Sequence, residues 1–327
     1  MESLERSVYA TAAYYSALRW PLTLAELTEH LIPPTRFGGT SITPSIGDIA
    51  PVLDRLIASG VVMTGDGLAW TAGALNDSVR ERVRRHNANA HAWKRMLPSA
   101  RFLQVVPYVR MVAASGSLAL GSTGPQSDWD VFVVVQAGRL YTARTFLMLV
   151  AALMGRLRTK RHRTAPDMFC FNHIVTTGGL AIRHRSIFVA HALAWLVPIY
   201  DPQRYAARLR DANQWTADTI IRPGDLSFER RALRESRVLA LIRRCAEVIF
   251  DTFVGDALEY VLRVWQQRRI QRDPATRAPG GRVVADDREL EFHPRSFEST
   301  VLARYRVLLA RVGMERYAER DSGLTKK

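Results

Sequence analysis

The sequence has 327 residues, 47% of them hydrophobic and 24% charged, a composition typical of globular proteins that excludes collagen-like or wholly disordered chains. Its formal net charge is +15, from 46 Lys and Arg against 31 Asp and Glu, which favours polyanionic partners such as nucleotides or nucleic acid. Two cysteines, Cys170 and Cys245, exclude a disulfide scaffold and a cysteine-based zinc motif.

The chain shows no signal for export or membrane insertion. Its first residues lack the basic head and apolar core of a leader peptide. The longest charge-free apolar stretches, residues 145–154 and 186–200, are shorter than the roughly 20 residues of a membrane-spanning helix. We therefore expect a cytoplasmic protein that makes no contact with a membrane.

Residues 1–76 have the pattern of three helices followed by a hairpin. Thr23 and Glu26 have the spacing of a capping box and predict the start of the second helix. Gly65-Asp66-Gly67 separates two short apolar runs and predicts the hairpin turn. The helices are expected at residues 5–18, 24–31 and 47–59. This order is typical of a winged-helix-like domain.

The third of these helices has the wrong charges for a DNA reader. It carries Asp48 and Asp54 but only one cation, Arg55. A helix that lies in the major groove normally brings several cations to the phosphates. A role in packing or protein contact is therefore favoured over DNA recognition.

The chemistry of the chain is concentrated in residues 110–135, RMVAASGSLALGSTGPQSDWDVFVVV. An apolar run at 111–114 predicts a buried strand that ends at Gly116-Ser117, and residues 128–135 predict a second strand. Asp128 and Asp130 are two residues apart on that strand, so they point to the same face and can converge on one cation. Carboxylate oxygens at close range suit Mg²⁺.

Gly-Ser, ten intervening residues and Asp-x-Asp inside an apolar strand together resemble the signature of the nucleotidyltransferase superfamily of DNA polymerase β type. The resemblance covers most of the chain. It implies that Gly116 and Ser117 hold the phosphates of a nucleoside triphosphate, and that Asp128 and Asp130 bind the catalytic metal, Mg²⁺ or Mn²⁺. Ser127, in the loop before the acidic strand, is assigned to the same nucleotide site.

The family has a third catalytic carboxylate on a neighbouring strand, and this sequence does not supply it clearly. The next predicted strand, residues 168–176, reads MFCFNHIVT and contains no acid. Asp167 immediately precedes it and is the candidate for the third catalytic residue. The alternative is that Asn172 fills the position, which leaves an amide where the family has an acid.

Three nearby features have ordinary structural explanations. The basic run at 156–163, RLRTKRHR, is a candidate for phosphate binding, although a solvated loop is favoured. His173 is interpreted as a structural histidine unless it faces the aspartate pair. Cys170, between two phenylalanines, is interpreted as a small buried filler.

We therefore expect an α+β fold with three parts. Residues 77–222 form a small mixed-sheet nucleotidyltransferase core, preceded by the winged-helix-like domain at 1–76 and followed by a helical C-terminal region at 223–327. Within the last region, residues 283–292 have a hairpin pattern and 296–312 predict a final amphipathic helix.

The expected function is the metal-dependent transfer of a nucleotidyl group from a nucleoside triphosphate, with ATP as the expected donor, to an unidentified hydroxyl, with release of pyrophosphate. The alternative is a non-catalytic nucleotide- or nucleic-acid-binding regulator on a degenerate transferase core, which the unclear third acid favours. A third class is a transferase that modifies a tyrosine of a partner protein.

Overall fold

The structure, a computed structural model, describes residues 1–74, 78–159, 164–221, 231–277, 281–293 and 296–320. Its helices are α1 (Ser3–Ala17), α2 (Leu24–Glu29), α3 (Ile46–Ala58), α4 (Ser78–Ala100), α5 (Gly116–Leu120), α6 (Leu140–Leu153), α7 (Ile187–Ala194), α8 (Tyr205–Ala212), α9 (Arg237–Phe250), α10 (Phe253–Arg272), α11 (Phe297–Ala310) and α12 (Glu315–Arg320). Its strands are β1 (Leu22–Thr23), β2 (Val62–Gly65), β3 (Leu68–Thr71), β4 (Val109–Ala114), β5 (Trp129–Val135), β6 (Phe169–Thr176), β7 (Val197–Tyr200), β8 (Arg282–Ala285) and β9 (Glu289–His293).

The N-terminal elements form a small unit around α1. Its three strands make an antiparallel sheet in the order β1-β3-β2. The capping box at the start of α2 is confirmed, because the Glu26 backbone N–H donates to the Thr23 hydroxyl while the Thr23 backbone N–H donates to the Glu26 carboxylate. The loop between α2 and α3 is anchored by Pro34 and Phe37, which are both buried.

Helix α11 closes the core of this N-terminal unit from the far end of the chain. The Tyr9 hydroxyl donates a 2.8 Å hydrogen bond to the backbone carbonyl of Leu308, and the rings of Tyr14 and Tyr305 meet edge to face. Residues of α1, α3 and α11 belong to one apolar cluster. As a result, every residue of α1 from Ser7 to Ala17 is buried.

A second, mixed sheet of six strands forms the centre of the molecule, in the order β7-β4-β5-β6-β9-β8. β5 and β6 are parallel, and the other neighbours are antiparallel. The chain is therefore a mixed α/β protein with a mixed sheet, as the sequence predicts. The hairpin expected at 283–292 is confirmed as β8 and β9, which extend this sheet beyond β6.

An extra residue in β6 changes which side chains share a face of the sheet. Asp130 pairs with Cys170, but Phe132 pairs with His173, so two steps along β5 correspond to three along β6. This is a β-bulge. Asn172 contacts Asp130 and His173 contacts Phe132, and both partners lie on the same face of β5. The bulge therefore turns two consecutive β6 residues towards one face.

Candidate functional site

The two aspartates lie at the start of β5, on either side of a buried tryptophan. The backbone N–H of Trp129 donates to the Met168 carbonyl at 2.8 Å, and its ring packs against Phe169 with centroids 5.1 Å apart. Trp129 is thus directed into the core, and alternation along the strand directs Asp128 and Asp130 to the opposite face. Burial of this tryptophan holds the acid pair in position.

Asp130 is the most perturbed acid of the site. The Asn172 side-chain amide donates a 2.7 Å hydrogen bond to its Oδ1. One ligand atom each of Asp128, Asp130 and Cys170 lie within 4.8 Å of one another. Burial, followed by repulsion from the Asp128 carboxylate, raises the pKa of Asp130 to about 7. The two carboxylates therefore bind a proton readily, and a cation placed between them would be bound for the same reason.

Arg158 balances part of this negative charge. Leu157 forms a parallel bridge to Phe169, and the backbone N–H of Arg158 donates to the Phe169 carbonyl at 3.1 Å, so the segment runs alongside the start of β6. The Arg158 guanidinium forms an ion pair with Asp128 and lies 3.7 Å from the Cys170 sulfur. Of the described cations in the basic run, Arg158 therefore contacts the acid pair, whereas Arg156 pairs with Asp167. Residues 160–163 lie outside the described chain.

Gly116 lies where β4 turns into α5, directly against Asp130. Its φ is +57°, and a Cβ at this position would lie 2.5 Å from Oδ2 of Asp130. The preceding residue, Ser115, donates its backbone N–H to the Asp130 carbonyl at 3.0 Å. Both backbone conformation and space therefore require glycine here. The structure thus gives Gly116 a role in seating the Asp130 carboxylate.

The two serines assigned to the nucleotide site have different surroundings. Ser117 is partly exposed in the first turn of α5, next to Gly116, and its carbonyl accepts from the Ser122 backbone N–H at 2.8 Å. Ser127 closes a turn, because its hydroxyl accepts a 3.0 Å hydrogen bond from the Gly124 backbone N–H. Ser117 thus borders the acid pair, whereas the observed contact of Ser127 is within its own loop.

Asp167 is held apart from the acid pair. Its carboxylate accepts from Nε of Arg95, with an ion-pair distance of 2.8 Å, and its carbonyl accepts from Arg156 at 3.1 Å. Its φ of +60° places it in a turn before β6. Among the described residues, the metal-capable group around Asp130 comprises Asp128, Asp130 and Cys170 and does not include Asp167. The side chains of β6 that contact Asp130 are instead Asn172 and Cys170.

Cys170 is a member of this site, whereas the sequence predicts a small buried filler at this position. It is the cross-strand partner of Asp130 and is only partly buried. Burial, followed by the charges of Asp130 and Asp128, raises the pKa of its thiol. The sequence does contain one indication of this role. Cys170 and Asn172 are two residues apart on one strand, so their side chains point to the same face, and if one of them faces the acid pair the other does too.

A second group of titratable side chains lies further along the same sheet. One ligand atom each of His173, Glu289 and Glu291 lie within 4.8 Å of one another. Their charges are already compensated, because Arg183 pairs with Glu289 and Arg282 pairs with Glu291. His173 contacts Glu289 at 3.1 Å. We assign this group as an ion-pair network, in keeping with a structural role for His173.

The donor set at the acid pair fits a divalent cation. Two carboxylates share a small volume with a single arginine, so a cation between them would relieve their repulsion and lower the pKa of Asp130. Carboxylate oxygens suit Mg²⁺ and Mn²⁺, and one or two of them together with substrate phosphates are a usual set of Mg²⁺ ligands. The Cys170 thiol is a softer donor and is not needed for this set.

Comparison with protein-family models, with curated proteins and with solved structures finds no match in any of the three. Across the described part of the chain, no helix is both long enough and apolar enough to cross a membrane.

Proposed function

We propose that this chain binds a nucleoside triphosphate through a divalent cation and transfers its nucleotidyl group to a hydroxyl. The observation that carries this proposal is the placement of Asp128 and Asp130 against the Gly116 turn. Asp130 lies on β5 and Asp128 immediately precedes that strand, and the turn follows the antiparallel neighbour β4. A phosphate-accessible glycine thus lies beside two carboxylates, the arrangement expected from the resemblance to nucleotidyltransferases.

Asp128 and Asp130 would hold Mg²⁺ or Mn²⁺. When bound, this cation would neutralise negative charge on the phosphates and on the leaving oxygen. Arg158, which pairs with Asp128, would compete with a cation for this carboxylate, and its guanidinium would be in reach of phosphate oxygens beside the pair. Gly116 has no side chain, so a phosphate could approach the backbone closely at this turn. The Ser117 hydroxyl would add a hydrogen-bond donor for the phosphate beside it.

In the proposed reaction the acceptor oxygen attacks the α-phosphorus of the nucleotide. A new oxygen–phosphorus bond forms, the bond to the bridging oxygen of the β-phosphate breaks, and pyrophosphate leaves with the electron pair. The acceptor proton passes to solvent. The contributions of the chain are the orientation of the phosphates by Arg158 and Ser117 and the fixed position of the acid pair.

A second candidate function is nucleotide binding without turnover. Asn172 contacts Asp130 from the neighbouring strand, where the resemblance leads us to expect a third carboxylate. An amide carries no charge and cannot accept the acceptor's proton. This observation favours a regulator that binds a nucleotide on a transferase-type site.

The charges of the N-terminal unit favour a role in packing within the protein over binding of nucleic acid. Its order of α1, β1, α2, α3, β2 and β3 is that of a winged helix. On α3, Arg55 is paired with Glu5 at 3.0 Å, and Asp48 accepts from the Ser45 backbone N–H. We propose that this unit is a winged-helix-like module that packs within the protein, and that nucleic acid is at most an acceptor at the acid pair.

Two measurements separate these functions. Calorimetry with each nucleoside triphosphate and Mg²⁺ measures binding, and labelled triphosphates incubated with a lysate measure transfer to a macromolecule or metabolite. Asp128→Asn with Asp130→Asn should abolish both, and Asp167→Asn, an acid outside the pair, is the matched control. Binding without transfer establishes the regulator, and undiminished binding by the double variant contradicts both proposals.

A further inference from the structure

Helices α9 and α10 expose an unusual amount of apolar surface. On α9, Val248 is 72% exposed, and on α10, Phe253 is 84% and Trp265 54% exposed. The other exposed large apolar residues of the two helices are Val238, Leu241, Ile242, Ile249, Val254, Tyr260 and Val261. Single exposed apolar residues are ordinary, but this many on two consecutive helices suggest a binding surface.

The exposed apolar residues of α10 lie on one face of the helix. Contacts made by the opposite face fix the orientation of the helix. Phe253, Ala257, Val261 and Trp265 follow at intervals of four residues and are all exposed. The inner face is bound to the protein, since the Gln266 side-chain amide donates to the Tyr141 carbonyl at 3.1 Å and Ile270 is buried. The helix therefore cannot turn its apolar face inwards without breaking its contacts to α6.

The two ends of the exposed α10 face have opposite charge. Asp251 and Asp256 lie at its N-terminal end, with carboxylates 53% and 69% exposed. Arg268, Arg269 and Arg272 are exposed near its C-terminal end. Both acids also pair with Arg139, Asp256 at 2.6 Å and Asp251 at 3.8 Å, and both keep exposed carboxylates. A second α10 packed in parallel would bring like charges together, whereas an antiparallel one brings opposite charges together.

Size also matches in the antiparallel arrangement. A two-fold axis at Val261 places Ala257 of one helix opposite Trp265 of the other, so the smallest residue of the face meets the largest. Phe253 then lies opposite Arg269, a pairing that permits a cation–π contact. A shallow hollow on the same helix is bordered by Tyr260, Trp265 and Arg272, among others. Large side chains of the second helix can enter it.

We infer that α10 is the interface of a two-fold symmetric homodimer in which the two α10 helices pack antiparallel about Val261. Isologous contacts of this kind are the commonest form of self-association. The acidic end of the face argues against a negatively charged membrane surface as the occupant, since acids are repelled there. The interface lies on the sheet face that carries Trp129 and Val131, away from Asp130. The inference is therefore independent of the proposed function.

Disulfide trapping tests the axis directly. In a Cys245→Ser background, Val261→Cys should give a covalent dimer under mild oxidation, because the axis brings the two positions together. Val254→Cys is the matched control. Its two copies would lie about 21 Å apart along the antiparallel helices, far beyond the roughly 7 Å that a disulfide spans. Cys245→Ser alone should give no covalent dimer, which controls for Cys170.

Sedimentation of the full chain provides the second measurement. The wild type should sediment as a dimer that dissociates on dilution, and Val261→Glu should be monomeric with an unchanged circular dichroism spectrum. Ile42→Glu, at an exposed apolar position of the N-terminal unit, should leave the dimer intact. A wild type that is monomeric at every concentration overturns the inference, as does equal trapping of Val254→Cys and Val261→Cys. Monomers that bind vesicles of phosphatidylcholine and phosphatidylglycerol through Trp265 would assign the face to lipid instead.

Discussion

The side-chain amide of Asn172 donates a hydrogen bond of 2.7 Å to Oδ1 of Asp130, across neighbouring parallel strands. This contact places a neutral donor beside a carboxylate whose pKa is raised to about 7. The amide stabilises the ionised form of Asp130 without adding negative charge. It therefore favours cation binding and leaves the site without a third acid at this position.

Replacement of Asn172 by aspartate should replace the hydrogen bond to Asp130 with repulsion between two carboxylates. Asn172→Asp adds a third negative charge, so the metal-free protein should lose about 1–2 kcal/mol of unfolding free energy. Mg²⁺ should restore most of the loss, and nucleotidyl transfer should rise relative to the wild type. Thermal unfolding with and without Mg²⁺ measures the first effect, and labelled triphosphate the second. Asn172→Ala, which removes the hydrogen bond without adding charge, should not gain stability from Mg²⁺ to the same extent.

Cation binding should depend on pH through the titration of Asp130. Because the carboxylate must be ionised to bind, affinity for Mn²⁺ should fall about tenfold for each pH unit below about 7. Above that pH it should level off. Calorimetric titrations with Mn²⁺ between about pH 5.5 and about pH 8 measure this dependence. A flat profile would show that Asp130 is already ionised at the lower pH.

The same titration should appear in the stability of the metal-free protein. The folded state holds the Asp130 proton more tightly than the unfolded state, so the stability from this group is fully present below about pH 4, falls as the pH rises, and is lost above about pH 7. Asp130→Asn should therefore be more stable than the wild type near pH 8, by about 1–3 kcal/mol, and close to it near pH 4. Denaturant unfolding of both proteins at the two pH values provides the measurement. A constant difference between them would contradict the assignment.

Gly116→Ala should disturb the acid pair as well as the backbone. The new Cβ would lie 2.5 Å from Oδ2 of Asp130, so the carboxylate must move. We expect a loss of about 2–4 kcal/mol and weaker Mn²⁺ binding. Gly138→Ala is the matched control, since Gly138 has a φ of +78° and nothing within 4 Å of its Cβ position. It should cost only about 1 kcal/mol and leave Mn²⁺ binding unchanged.

Loss of Arg158 should affect the cation and the nucleotide in opposite directions. Arg158→Ala removes a competitor for Asp128, so affinity for Mn²⁺ alone should increase a few-fold. Affinity for the triphosphate with Mn²⁺ should decrease by about tenfold, because one charged phosphate contact is lost. Arg95→Ala, which breaks the ion pair to Asp167, should change neither. A parallel loss of both affinities in Arg158→Ala would indicate a merely structural role.

Local signals in the sequence were enough to predict part of the geometry of the candidate site. Asp128 and Asp130 were placed by strand periodicity, and the Thr23–Glu26 capping box by its spacing. Cys170 was missed because its role depends on the pairing of β5 with β6, which periodicity within one strand does not contain. The ion pair between Arg158 and Asp128 was missed for the same reason, since a basic run looks alike whether it is solvated or folded back on a sheet.

Long-range packing was the least accessible feature of the fold. The amphipathic pattern of 296–312 correctly indicated a helix, and the structure has α11 at Phe297–Ala310. The pattern says which side of a helix is apolar but not which surface it covers. That α11 covers α1 follows from shape and from contacts such as Tyr9 to Leu308, which join residues at opposite ends of the sequence.

The packing of α11 on α1 has a consequence for how the protein is made. Helix α1 is synthesised long before α11, so the part of its apolar surface that α11 covers stays exposed until α11 has been made. Packing of the N-terminal unit is thus completed only after the strands of the central sheet have been synthesised. A nascent chain stalled before residue 297 would present this uncovered helix to chaperones and proteases.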